Sequence, residues 1–225
     1  MEKAILIAGI SGDLQTEILQ ESLSRRYKTA VALDPEAEHP PIGEDWEKLL
    51  RYFEWNKRSS LSAKNLVLEV LSFADSLEEV FLLFEPPKDG RPLHELPVAE
   101  IEGTFDGWMK GFLFLIKELI LQFQRRKKGT LTLVQYEPTP LLTPLSLGSS
   151  SFFRAMGNAL FTQYQNEPFV TRGFYSTAEE VKDFARYLLS LQEKPEKTYG
   201  KWTKYTGKTS FWSFRRSDKK VAKSG

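Results

Sequence analysis

"AILIAGISGDLQ", residues 4–15, is the stretch whose reading decides the fold. Its first half is an unbroken apolar run, the pattern of a short strand buried on both faces. Its second half holds two glycines and then opens a segment with Leu14, Ile18, Leu19 and Leu23 on one helical face. Strand, glycine turn and helix in that order form a phosphate cradle, because glycines admit the ligand to the backbone and the helix N-terminus supplies free N–H groups. Gly9, Ser11 and Gly12 are the candidate phosphate contacts. Asp13 sits inside the turn, where it favours the helix dipole and repels phosphate. Asp34 follows Gly12 by 22 residues and closes a second buried run, "TAVAL" at 29–33. An acid there can bond an adenosine ribose, although an Asp before a proline also starts turns.

Beyond this unit the same alternation continues. A short helix at 46–50 precedes a strand at 51–55, and a helix at 62–77 precedes a strand at 79–85 that Pro86 and Pro87 end. A long helix follows at 98–126, then a strand at 129–137, a helix at 149–165 and a strand at 167–176. A further helix at 177–191 carries Glu179 and Glu180 in its first turn, where acids suit the helix dipole. The predicted architecture is α/β: a Rossmann-like, doubly wound parallel sheet of six or seven strands with helices on both faces. One domain spans 1–193. A basic, aromatic extension spans 194–225, giving a last strand or arm and then a disordered tail from about 217. The helix at 98–126 is apolar around nearly its whole circumference, so its second face needs a neighbouring helix or another subunit.

Composition narrows the chemistry. Of 225 residues, 41% are hydrophobic and 27% charged, as in a globular protein. The absence of cysteine excludes disulfides, thiol catalysis and cysteine-based metal centres. His39 and His94 are isolated in proline-rich stretches, so no metal site is expected. The greasiest segment, 108–123, contains Lys110, Lys117 and Glu118 and falls short of the ~20 residues that span a bilayer. A cytoplasmic location is the default expectation. From Lys194 onward ten Lys/Arg face two acids, which leaves the body at −7 against a total of +1. "KWTKYTGKTSFWSFRR" (201–216) interleaves aromatics and cations as single-strand nucleic-acid surfaces do. The simpler reading is a final strand and packing arm, with no nucleic-acid or membrane partner. "RRKK" (125–128) reads as a cationic cap on a helix C-terminus.

From residue 3 to about 210 the chain resembles the short-chain dehydrogenase/reductase family. "AGISGDLQ" (8–15) is similar to that family's threonine-glycine-x-x-glycine-x-x-glycine turn, with Ala8 for the threonine and Gln15 for the last glycine. "FEPP" (84–87) stands where the family has asparagine-asparagine-alanine-glycine. "YTG" (205–207) looks like the threonine-glycine preceding the last strand. The resemblance implies NAD or NADP as cofactor. It also implies a homodimer or tetramer built through helices 98–126 and 149–165. The family's tyrosine-x-x-x-lysine, laid over "FRAMGNAL" (153–160), puts the tyrosine on Phe153 and the lysine on Gly157. Carbonyl reduction needs a proton donor at the oxygen and a cation that acidifies the donor and holds the cofactor. Phe153 and Gly157 offer neither. The family's serine falls within Gln135 to Pro140: strand alignment favours Gln135 or Tyr136, and spacing from Phe153 favours Thr139 or Pro140. The helix-four asparagine is absent near Lys110 and Gly111.

Tyr136, with Glu137 beside it, is the best remaining candidate acid; Tyr164 lies three turns away. The resemblance thus implies a divergent member without the standard catalytic set, holding NAD(P) weakly or not at all. The first alternative is an active NAD(P)-dependent oxidoreductase with an unorthodox site, and the second a nucleic-acid or acidic-partner module using 194–216.

Overall fold

Seven strands, all parallel, make one sheet in a computed structural model that describes residues 3–37, 44–74, 76–138, 140, 143–191 and 198–207. They are β1 (Ala4–Gly9), β2 (Lys28–Leu33), β3 (Leu50–Glu54), β4 (Glu79–Phe84), β5 (Thr130–Tyr136), β6 (Val170–Ser176) and β7 (Trp202–Tyr205). Their order is β3-β2-β1-β4-β5-β6-β7, so the winding reverses between β1 and β4. His39, Thr139 and the tail beyond 207 lie outside the described residues.

Every residue of β1 and β4 is buried, which is why β1, and β4 from Val80 onward, read as continuous apolar runs rather than alternating ones. One face of the sheet packs on α1 (Asp13–Ser24) and α6 (Val181–Ser190), around Ile5, Ile7, Phe81, Leu83 and Phe184. The other packs on α2 (Ser60–Ala74), α4 (Gly111–Arg126) and α5 (Pro144–Gln163), around Leu6, Leu82, Phe84, Phe112 and Phe153. Burying each such side chain contributes about 1.5–3 kcal/mol.

Several expected boundaries move for local reasons. The helix expected from 149 begins at Pro144, because Thr143 caps it: the Thr143 side chain accepts from the Ser146 N–H at 3.3 Å, and proline suits the first helical position. The helix expected from 177 begins at Val181. Ser176 Oγ instead accepts from the Ala178 N–H at 3.0 Å, so Glu179 and Glu180 lie before the helix rather than in its first turn. The strand expected from 167 begins at Val170, and a single 3₁₀ turn, Glu44–Trp46, replaces the short helix at 46–50. Thr206-Gly207 follows β7, the last strand among the described residues; what comes after Gly207 lies outside them.

The long helix at 98–126 is divided. A short α3 (Val98–Thr104) runs through a π-helical turn at Phe105–Lys110 into α4. That turn lets Trp108 meet Phe84 edge-on, with ring centres 5.7 Å apart. α4 ends where Lys127 enters the left-handed region (φ 53°), with Arg125 and Arg126 in its last turn. Its inner face is buried, while Leu113 and Leu121 point outward at 46% and 37% exposure. Among the described residues no helix is long and apolar enough to cross a membrane.

Candidate functional site

In open parallel sheets ligands bind beyond the strands' carboxyl ends, at the point where the winding reverses. Here that point is the turn from β1 into α1. Its two glycines have different duties. Gly9 adopts φ +123°, and a Cβ on it would fall 2.0 Å from the Leu83 carbonyl oxygen on β4, so the sheet itself requires glycine. Gly12 is extended (φ 169°) and the nearest foreign atom to an added Cβ, Glu85 Oε2, is 4.0 Å away. The residue before α1 is Gly12, and no side chain caps the helix; Ser11 is exposed on the turn. The N-terminal N–H groups of α1 therefore open toward the crevice.

What surrounds them is acidic. Tyr136, at the tip of β5, has its phenol pKa raised by burial first, and then by the carboxylates of Glu85, Asp13, Glu179 and Glu180. Four acids thus converge on the end of the central strands, and Lys88 offsets one of them by pairing with Glu85 at 2.6 Å. A cavity of about 90 Å³ lies here, lined by Glu85, Pro87, Lys88, Asp89, Glu137 and Ser146. Ligand pockets run to about 300–1,000 Å³, so this one is small. No group of three or more potential metal ligands occurs among the described residues.

Asp34 stands at the tip of β2, where a ribose would lie, but Lys57 Nζ bonds both its oxygens at 2.8 Å. Lys57 is itself fixed, with its ammonium 5.5 Å over the Trp55 ring and 5.3 Å over Trp108. Gly111 makes this possible: a Cβ there would lie 2.7 Å from Lys57 Cβ and 2.9 Å from its carbonyl oxygen. No side chain fits at 111 while Lys57 takes this path.

Phe153 and Gly157 are core residues. The Phe153 ring stacks on Phe84 at 4.7 Å and meets Phe112 at 5.6 Å and Trp202 at 5.9 Å. A Cβ on Gly157 would fall 2.5 Å from the Trp202 indole, and one on Gly173 2.4 Å from it. Two glycines thus flank the same ring. Tyr164 lies partly buried at the far end of α5, against Phe169.

A polar network that sequence reasoning did not assemble sits one turn nearer the helix start. Ser150 Oγ, buried, donates to the Glu137 carboxylate and takes a hydrogen bond from Gln135 Nε2 at 2.6 Å; Gln135 Nε2 also donates to Glu137. Arg154 Nε donates to Gln135 Oε1 at 2.7 Å, and its guanidinium stacks 3.5 Å over Tyr175. Ser150 and Arg154 stand four residues apart, the spacing of tyrosine-x-x-x-lysine. Placing the motif there, three residues upstream of Phe153, moves its strand partner to Tyr136 or Glu137. The conflict between strand alignment and spacing then disappears. The available signal was that agreement, together with the cation at 154.

No protein-family model matches the chain, and no curated protein matches it by sequence. Solved structures do match in shape. A serine dehydrogenase from Escherichia coli superposes with a TM-score of 0.73 at 12% identity, over 90% of this chain and 96% of that one. The NADH-dependent reductase A1-R′ complexed with NAD gives 0.74 at 12% identity, over 92% and 96%. A tyrosine-to-phenylalanine variant of ElxO with NADPH bound gives 0.73 at 12%, over 91% and 97%. The shared property at this identity is the fold: a parallel α/β sheet of the kind found in these oxidoreductases.

Proposed function

We propose that the chain is a Rossmann-fold protein of dehydrogenase type that has given up standard hydride transfer, grips a nicotinamide dinucleotide weakly or not at all, and works as a binding or structural protein. The observation that carries this reading is the sign of the charge at the glycine turn. A dinucleotide brings a doubly negative diphosphate to the N-terminus of α1, and there it would meet Asp13 and Glu85, with Glu179 and Glu180 close behind. Asp34, the acid that would bond a ribose, is already neutralised by Lys57. The missing tyrosine on α5, whether its place is Phe153 or Ser150, is the weaker argument: a tyrosine-to-phenylalanine variant of ElxO holds NADPH, so loss of one tyrosine hydroxyl does not abolish binding in that protein.

Fluorescence titration with NADH and NADPH tests the proposal. No saturation is expected up to about 1 mM, and an Asp13→Asn, Glu85→Gln double variant should bind about tenfold more tightly than the parent. Saturation of the unaltered protein at low micromolar NADH or NADPH would overturn it.

One observation favours a second reading, an oxidoreductase with a rebuilt acid. Glu137 lines the cavity at the end of β5, hydrogen-bonded to Ser150 and one residue from Tyr136. On that reading turnover of a carbonyl substrate with NAD(P)H is measurable and collapses in Glu137→Gln or Tyr136→Phe. On the first reading there is no turnover to lose.

A further inference from the structure

A second, larger cavity lies at the opposite end of the strands, where β1, β4, β5 and β6 begin. It encloses about 730 Å³, within the range of small-molecule pockets. Arg172 of β6 forms part of its wall and is 1% exposed. Its Nε donates to Thr132 Oγ1 at 2.9 Å, one terminal nitrogen donates to Glu79, and the other reaches only Thr198 Oγ1, at 3.5 Å. Thr132 Oγ1 also donates to Glu79, at 2.6 Å. A guanidinium presents five N–H groups. Two of those on Arg172 have no acceptor among the described residues, and a third makes a contact at the limit of hydrogen bonding.

Lys3 lines the same cavity and is half-buried, with its ammonium 5.3 Å from the centre of the Tyr27 ring. No carboxylate lies within 4 Å of its Nζ among the described residues. Burial lowers its pKa, and Glu79 and Glu78 offset this only in part. Glu79 is already committed to Arg172, and Glu78 holds Lys128 at 2.7 Å. Lys127, exposed at the left-handed end of α4, adds another cation to the rim. Tyr164, Phe169 and Tyr199 supply aromatic surface, with the Tyr164 and Phe169 rings 5.6 Å apart.

A purely structural tie between β4, β5 and β6 explains the Arg172–Thr132–Glu79 bonds. It explains neither the spare guanidinium N–H groups nor a half-buried ammonium beside them. A buried ion pair is in any case a poor stabiliser, since apolar residues of similar volume often serve as well. Spare donors in a planar fork, a nearby ammonium and flanking rings are together the requirements of an aromatic oxyanion.

We propose that this cavity binds a small aromatic oxyanion, its carboxylate or phosphate oxygens accepting from Arg172 and Lys3 and its ring lying against Tyr164 and Tyr199. The site is independent of the glycine turn, which lies at the other end of the strands, so weak dinucleotide binding there does not bear on it. The shared chemistry, an oxyanion joined to a flat ring, is found in nucleoside monophosphates and in aryl carboxylates.

Isothermal titration calorimetry of the full chain with AMP, with benzoate and with inorganic phosphate alone separates these. One of the two aromatic probes should bind at one per chain, about tenfold more tightly than inorganic phosphate. AMP in that role assigns a nucleotide phosphate, and benzoate a carboxylate. Lys3→Met should weaken binding about tenfold, Lys3→Arg should restore most of it, and Tyr199→Ala should weaken it again. Arg172 variants risk the fold, whereas Lys3→Met should melt no lower than the parent without ligand, because it removes a cation that burial disfavours. Absence of heat from both aromatic probes at about 5 mM, or affinity unchanged in Lys3→Met, would overturn the proposal.

Discussion

Glycine at 157 and glycine at 12 look alike in the sequence and differ in what the fold asks of them. An added Cβ at 157 would lie 2.5 Å from Trp202 and 3.1 Å from a Leu133 methyl. Gly157→Ala is therefore expected to destabilise by about 1–3 kcal/mol in urea unfolding, the ordinary cost of overpacking. Gly12→Ala meets open space and should stay within about 0.5 kcal/mol of the parent. Gly12 keeps the backbone approachable, then, without being needed for folding. Phe153→Tyr, which puts a phenol at the first of the two positions on which the family's tyrosine can be laid, would insert a hydroxyl among Phe84, Phe112 and Trp202. It should cost about 1–3 kcal/mol and create no reductase activity. A Phe153→Tyr protein that reduced carbonyls with NADPH would contradict the placement of that ring in the core.

Among the elements, the sheet was the most legible part of the sequence, because strands covered on both faces leave unbroken apolar runs that little else produces. Helix starts were less so. The Thr143–Pro144 cap of α5 hid inside a proline-rich stretch, and Ser176 spent on its own turn the residues that seemed to open α6. The Gln135, Glu137, Ser150 and Arg154 network was illegible for a different reason. The bonds that tie α5 to the end of β5 join positions 13 to 19 residues apart, so they depend on how the helix sits against the strand. Arg172 did leave a signal, a charge in the middle of the apolar strand "FVTRGFY". The outer face of α4 returns a prediction of its own. Leu113 and Leu121 are exposed there, and Phe105 is 45% exposed just before the helix. We expect this face to pair with its copy in another chain, so that Leu113→Glu with Leu121→Glu converts a dimer to a monomer in light scattering. A parent already monomeric at micromolar concentration would refute this.

Across the whole molecule, the two ends of the sheet differ in charge. Glu85, Asp13, Glu179 and Glu180 face Tyr136 at the carboxyl ends of the strands, whereas Lys3, Lys127, Lys128 and Arg172 stand with Glu78, Glu79 and Glu167 where the strands begin. The acidic end also carries an aromatic stack between the sheet and α6. Tyr136 lies 6.1 Å from Phe184, Phe184 5.1 Å from Tyr205, and Tyr205 5.0 Å from Tyr187, centre to centre. Burial raises the pKa of all three phenols; Glu85 and Asp13 raise Tyr136 further, and Asp183 and Glu180 raise Tyr205. A phenol that stays protonated in the fold but ionises near pH 10 when unfolded stabilises the fold fully below that pH. Above it the unfolded chain holds fewer protons than the native one, so stability falls as pH rises toward the folded pKa. The urea midpoint should accordingly hold steady from about pH 7 to 9 and drop steeply beyond about pH 10. Tyr136→Phe removes the phenol that four carboxylates face, so the same drop should become shallower in that variant. A parent midpoint unchanged at about pH 11 would mean that these rings ionise as freely in the fold as in water.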